Sequence, residues 1–207
     1  GIQAITPEDL EFAASMGYRV KHLGIARRQG DRVEMRVHPT LIPEQKQLAN
    51  VDGVLNAIMI KGDAVGELVL VGPGAGGAAT ASAVCADLAD IARTAAGSGP
   101  ALGVPIAQLK SQALVPAEDI ESEWYVRLAA SDCAGVMSDI TQVLANHDVS
   151  IESLLQNPPR EDQTTVSIVL LTQVASASVM TAVMQEITAL TEVEKEFTLL
   201  RVEAFDQ

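Results

Sequence analysis

From Trp124 to Glu203 the sequence alternates between two periodicities, and this alternation constrains the fold more than any other feature. "WYVRLAAS" is strand-like. "GVMSDITQVLANH" follows, with Val136, Ile140, Val143 and Leu144 on one helical face. "VSIESLLQ" and "TTVSIVLLTQ" read as strands joined by the polar loop "NPPREDQ". "ASVMTAVMQEITAL" is a second amphipathic helix and "EKEFTLLRVE" a last strand. The order βαββαβ defines a ferredoxin-like module.

The first half is built differently. Thr6, Pro7, Glu8 and Asp9 make a helix start: a capping hydroxyl, a proline in the first turn, and acids at the positive end of the dipole. That helix is expected to end near Gly17. "YRVKHLGIARRQGDRVEMRVHP" reads as two strands around Gly30–Asp31, and "GVLNAIMIKGDAVGELVLVG" as a second hairpin around Gly62–Asp63. A glycine stretch leads into a helix from about Thr80 to Ala95, where Ala81, Val84, Cys85, Leu88, Ile91, Ala92 and Ala95 recur at helical spacing. "AAGSGPALGVP", Ala95 to Pro105, is a connector, and the region up to Glu123 has little pattern of its own. The expected class is α+β. Residues 1–105 form a mixed or antiparallel sheet with helices, 106–123 a linker, and 124–207 the βαββαβ module.

Composition narrows the function. The 207 residues are 48% hydrophobic, enough for one large or two small domains with real cores. The net charge of −13 repels phosphate backbones and argues against nucleic-acid binding. No run of about 18 apolar residues and no signal-peptide pattern occurs, so a cytoplasmic protein without membrane partners is expected. Cys85 and Cys133 lie far apart and read as free thiols. The chain starts at Gly1 rather than Met and enters at once on a helix signal, as a fragment of a longer protein would.

The glycine stretch "VLVGPGAGGAAT" places Gly72, Gly74 and Gly77 at the G-x-G-x-x-G spacing of a dinucleotide fold. That fold also needs a parallel strand before the glycines and a second strand about 20 residues later ending in an acid. Here Glu67 to Val71 closes a tight hairpin, and the helix runs into Ala95-Ala96-Gly97-Ser98-Gly99-Pro100. The stretch is not a Rossmann fingerprint. Two readings remain: a turn that reverses the chain beside a sheet, or a donor site. In the second, the N–H groups of Gly74, Ala75 and Gly76, with the Thr80 hydroxyl, offer donors to an amide, carboxylate or phosphate oxygen.

Other chemistry is sparse. His22, His38 and His147 lack partners at ligand spacing, so no metal site is expected. No G-x-S-x-G or Cys/His pair suggests a nucleophile. Lys21 and Lys61 read as solvated strand lysines. The turn from Asp132 to Met137, "DCAGVM", is a helix N-cap, or else a pocket of free N–H groups suited to an amino-acid carboxylate.

Taken together, "ITPEDLEFAASMGYRVKHLGIA", "RVHPTLIP" and "LANVDGVLNAIMIKGDAVGELVLVGPGAGGAATASAVCADL" resemble, in order, the carboxy-terminal part of the homoserine dehydrogenase catalytic domain. The resemblance covers residues 1–105 and departs from the family at Ala79, where the usual residue is proline. Residues 124–203 resemble an ACT domain, with its D-x-P-G turn altered to Asp132-Cys133-Ala134-Gly135. A catalytic domain followed by an ACT domain is the monofunctional arrangement. The resemblance implies NAD- or NADP-linked interconversion of aspartate semialdehyde and homoserine, on the route to threonine and methionine. It implies that the Rossmann domain and catalytic lysine precede Gly1, that no catalytic residue lies in this chain, and that the chain is inactive alone. It assigns Gly74, Ala75, Gly76 and Thr80, with Gly72 more weakly, to the nicotinamide end of the cofactor. It assigns Asp132, Ala134, Gly135, Val136, Ser150 and Ile151 to an amino-acid effector, threonine being the expected one. It further implies a homo-oligomer held through both domains, with the sheet of the first pairing across a homodimer. The alternative from another class is a non-enzymatic amino-acid sensor whose first domain serves only to dimerise.

Overall fold

A computed structural model of the chain describes residues 2–93, 108–156 and 165–205. The connector expected over Ala95–Pro105 and the loop "NPPREDQ" lie outside them. The described residues fall into two compact units, residues 1–44 with 113–207, and residues 45–112.

The larger unit opens with helix α1 (Pro7–Ser15) and the hairpin β1 (Tyr18–Gln29) and β2 (Arg32–Pro43). It continues with β5 (Ala113–Leu114), β6 (Glu121–Ser131), α3 (Val136–Asn146), β7 (Ile151–Gln156), β8 (Thr165–Ser176), α4 (Ala177–Ile187) and β9 (Val193–Val202). The smaller holds β3 (Leu55–Gly62), β4 (Gly66–Pro73) and α2 (Gly77–Arg93).

The expected βαββαβ order is present, and its strands lie side by side as β9-β6-β8-β7, all antiparallel. Period-two alternation along β6 separates two cores. Trp124, Val126, Leu128 and Ala130 face Ile140, Leu144, Met180, Val183 and Ile187 of α3 and α4. On the other face Tyr125 joins Phe12 and Ala13 of α1 with Leu41, Val169 and Leu200. α1 itself starts at a capping box: Asp9 N–H donates to Thr6 Oγ1 at 3.3 Å and Thr6 N–H to Asp9 Oδ2 at 2.8 Å.

The expected division at residues 105–123 is not how the chain groups in space. β2 extends the sheet by pairing with β9 in parallel, Thr40 with Arg201 and Leu41 with Val202, so residues 1–44 share one sheet with the βαββαβ module. The described part of the linker, from residue 108, also carries structure that its pattern does not announce. Ala113–Leu114 pairs with Arg32–Val33, and Ile120 is buried and accepts the Ala177 N–H. Two residues are too short a strand to leave a periodicity. A polar seam runs beneath the junction. Arg36 pairs with Glu34 at 3.0 Å and Glu203 at 2.6 Å, and Arg201 lies 4.3 Å over the Trp124 ring. Burial, then the neighbouring Arg36, brings Arg201 down to about 10.

The smaller unit is one antiparallel hairpin and one helix. Its apolar side chains are largely exposed: cross-strand pairs Ile58–Leu70 and Ile60–Leu68, and Val84, Leu88 and Ile91 along α2. Among the described residues no helix is long and apolar enough to cross a membrane.

Candidate functional site

Two of the expected sites can be followed residue by residue. The first is the turn between β4 and α2. Leu55 pairs with Pro73 and Asn56 with Gly72, which delivers the chain into the turn beside the start of β3. There the Gly74 N–H donates to the Val54 carbonyl at 2.9 Å. This corrects one expectation: the Gly74 donor is spent inside the hairpin and is closed to a ligand. Gly74 is needed for space, because a Cβ there would run into the Asn56 side chain. Gly76 is needed for its backbone, at φ +109°.

α2 begins at Gly77, three residues before the expected Thr80. Thr80 therefore sits inside the first turn, its own N–H donating to the Gly76 carbonyl at 3.1 Å. The N–H groups of Ala75 and Gly76 meet no acceptor among the described residues. The first-turn donors of α2, from Gly77 to Ala79, belong to the same open end. The sequence reading placed this start at Thr80 because Gly-Ala-Ala carries no capping side chain to mark it. The turn is solvent-exposed and presents the free N–H groups of Ala75 and Gly76 beside the start of a helix, a combination that fits an oxygen-rich anion or amide.

The second site is the turn between β6 and α3. Gly135 is the N-cap, at φ +103°, and no side chain caps the helix. Asp132 therefore does not fill the capping role that one reading gave it. Cys133 N–H donates to the Ser131 carbonyl at 2.9 Å, and Val136 tucks into the core. Behind the exposed residues 132–135, the start of α3 thus presents unpaired N–H groups on the positive end of its dipole. Ser150 and Ile151 do not join it. Ser131 pairs with Thr165 and Ile151 with Thr172, seven residues apart on β8, or about 23 Å at roughly 3.3 Å per residue. Within one chain the six expected effector residues form two groups at opposite ends of the sheet.

The histidines are placed structurally. His38 Nδ1 lies 2.9 Å from the Pro39 carbonyl, and burial, against the help of that bond, holds its pKa below the usual histidine range. His147 Nε2 lies 2.9 Å from Glu186 Oε1. No group of three or more His, Cys, Asp or Glu among the described residues is placed to hold a metal ion. Cys85 and Cys133 are exposed and unpaired. Lys21 lies on β1 and Lys61 on β3.

Comparison with known proteins covers both halves. Residues 1–89 match the family model described as homoserine dehydrogenase, and residues 123–195 the model described as ACT domain. A homoserine dehydrogenase from Neisseria gonorrhoeae is 43% identical over 99% of this chain and 48% of its own length. One from Bacillus subtilis is 33% identical over 98% of the chain and 47% of its own length. The solved homoserine dehydrogenase from Thiobacillus denitrificans superposes with a TM-score of 0.86 at 42% identity, covering 99% of this chain and 47% of that one. The chain spans about half the length of the curated relatives it matches, and corresponds to their carboxy-terminal part.

Proposed function

We propose that the chain is the carboxy-terminal part of a homoserine dehydrogenase carrying an ACT domain, and that it supplies one wall of a dinucleotide cleft together with an amino-acid-responsive regulatory domain. The reaction proposed for the whole protein is the interconversion of L-aspartate 4-semialdehyde and L-homoserine, on the route to threonine and methionine, in the cytoplasm. NAD or NADP, when bound, exchanges the hydride with the substrate carbonyl carbon. The observation that carries this reading is the open N-terminal end of α2, where Ala75 and Gly76 keep free N–H groups behind a turn shaped by Gly74.

In this reading Ala75, Gly76 and the first turn of α2 donate to an oxygen of the nicotinamide half of the cofactor. Gly74 and Gly72 keep the backbone close, and the Thr80 hydroxyl adds a donor at the edge. Fixing the ring in this way holds the reacting carbons at attack distance, which is where positioning lowers the barrier. A lysine elsewhere in the whole protein protonates the developing alkoxide.

At the uncapped start of α3, Asp132, Ala134, Gly135 and Val136 surround donors for the carboxylate of an amino-acid effector such as threonine. Ser150 and Ile151 lie too far along the sheet to share that ligand in one chain, so they reach it from a second copy. The exposed apolar face of β3 and β4 is the surface through which two copies pair.

The test is steady-state kinetics on the full-length protein containing this segment. Gly74→Ala drives a Cβ into Asn56, and kcat/KM for the dinucleotide is expected to fall about ten- to a hundredfold. Asn56→Ala in the same protein is expected to restore most of it. An unchanged dinucleotide kcat/KM in Gly74→Ala would remove the turn from the cofactor site.

A further inference from the structure

The larger unit holds a cavity of about 180 Å3 at the end of β6 opposite the Asp132 turn. Its lining includes Arg27 of β1, Arg36 of β2, Glu121 and Ser122 of β6, Val202 of β9 and Glu203. It therefore sits where residues of both family segments meet on one sheet.

The lining carries donors and acceptors that the fold does not use. Arg36 is 6% exposed and gives Nη1 to Ser122 at 3.2 Å and Nη2 to Glu203 at 2.6 Å, but its buried Nε meets no partner among the described residues. Arg27 is a third exposed and commits only Nη2, to Glu203 at 2.9 Å. Its remaining guanidinium N–H groups are open to a planar acceptor such as a carboxylate. Glu121 pairs with Ser176 through its backbone, and its exposed carboxylate has no hydrogen bond or ion pair among the described residues. Val174 and Val202 supply an apolar wall between these charges.

We propose that this cavity binds a small zwitterionic α-amino acid, with its carboxylate on the guanidinium of Arg27 beside Arg36 and its ammonium on Glu121. Size agrees: 180 Å3 is room for about six waters at roughly 30 Å3 each, which suits an amino acid with a short side chain. Charge agrees as well. A bare anion meets Glu121, Glu123 and Glu203, and a bare amine leaves the open Arg27 donors unpaired. The site is separate from the α3 turn and stands whether or not that turn takes an effector. A ligand here would clamp β1 and β2 against β6 and β9, and so joins the dehydrogenase segment to the regulatory module.

Titration calorimetry of the 207-residue chain tests this with glycine, L-alanine, L-serine and L-threonine, and with acetate and methylamine as half-ligands. At least one amino acid is expected to bind, and both half-ligands at least about tenfold more weakly. Arg27→Met keeps the apolar stem at a part-exposed rim position and is expected to weaken binding about tenfold or more. Glu121→Gln, at an exposed position, is expected to do the same from the other wall and decides the matter if Arg27→Met misfolds. Gly135→Val is expected to leave this affinity unchanged. The proposal is overturned if no amino acid binds, if acetate binds as tightly, or if affinity survives both rim variants and is lost in Gly135→Val.

Discussion

At Asp9 a local capping rule and a tertiary ion pair meet on one carboxylate. The sequence Thr6-Pro7-Glu8-Asp9 marks the helix start, and the capping box forms as that pattern requires. The same carboxylate is fully buried, pairs with the Arg127 guanidinium through Nε, and accepts the Tyr125 hydroxyl at 3.1 Å and the Thr198 hydroxyl at 3.2 Å. Burial pushes its pKa up, but the Arg127 bond and the Thr6 bonds outweigh burial and hold it below the usual 3.8. Its stabilisation is therefore complete above that usual value and is lost as pH falls through the lowered one. Asp9→Asn is expected to cost about 1–3 kcal/mol near neutral pH and to flatten the acid limb of stability. Urea unfolding midpoints between pH 7 and about 3 check this, and parallel losses in both proteins would count against it. The cap was legible because it lies within four residues. The Arg127 contact, 118 residues away, left no mark in the sequence.

Elements were legible in proportion to how many repeats of their period they contain. The βαββαβ order could be read because α3 and α4 each place four buried residues at helical spacing and β6 and β8 are apolar strands of 11 and 12 residues. β5, with two residues, could not be read, and neither could the true start of α2, where no side chain caps. The β3–β4 hairpin was read correctly. A two-stranded sheet is only marginally stable alone, and this one exposes Ile58, Ile60, Leu68 and Leu70 in facing pairs. The pairing proposed for this face predicts that Ile58→Glu with Leu70→Glu shifts the protein toward monomer in sedimentation velocity, with no loss of helical circular dichroism. An unchanged sedimentation coefficient would reject that interface.

For the whole molecule, the family segments follow the chain but the packing does not. The dehydrogenase match ends at residue 89 and the ACT match begins at 123, while residues 1–44 build one sheet with the ACT strands. The junction rests on a two-residue parallel ladder between β2 and β9 and on ion pairs from Glu203 to Arg27 and Arg36. Contacts between residues so far apart in sequence have no periodic signature, and so only the structure reveals them. The same limit applies to the proposed sites. The glycine turn from Gly72 to Gly77 was legible from spacing, but the loss of the Gly74 donor to Val54 follows from hairpin register. Likewise the distance between Asp132 and Ile151 follows from the pairing of β8 with its two neighbours. The central claim is that this chain is a contributing part of a dehydrogenase and not a free-standing sensor. It is tested most directly by following NADH or NADPH formation with L-homoserine, using the 207-residue chain and the full-length protein that contains it. Turnover by the full-length protein and none by the shorter chain is predicted, whereas turnover by the 207 residues alone, or none by the full-length protein, would contradict it.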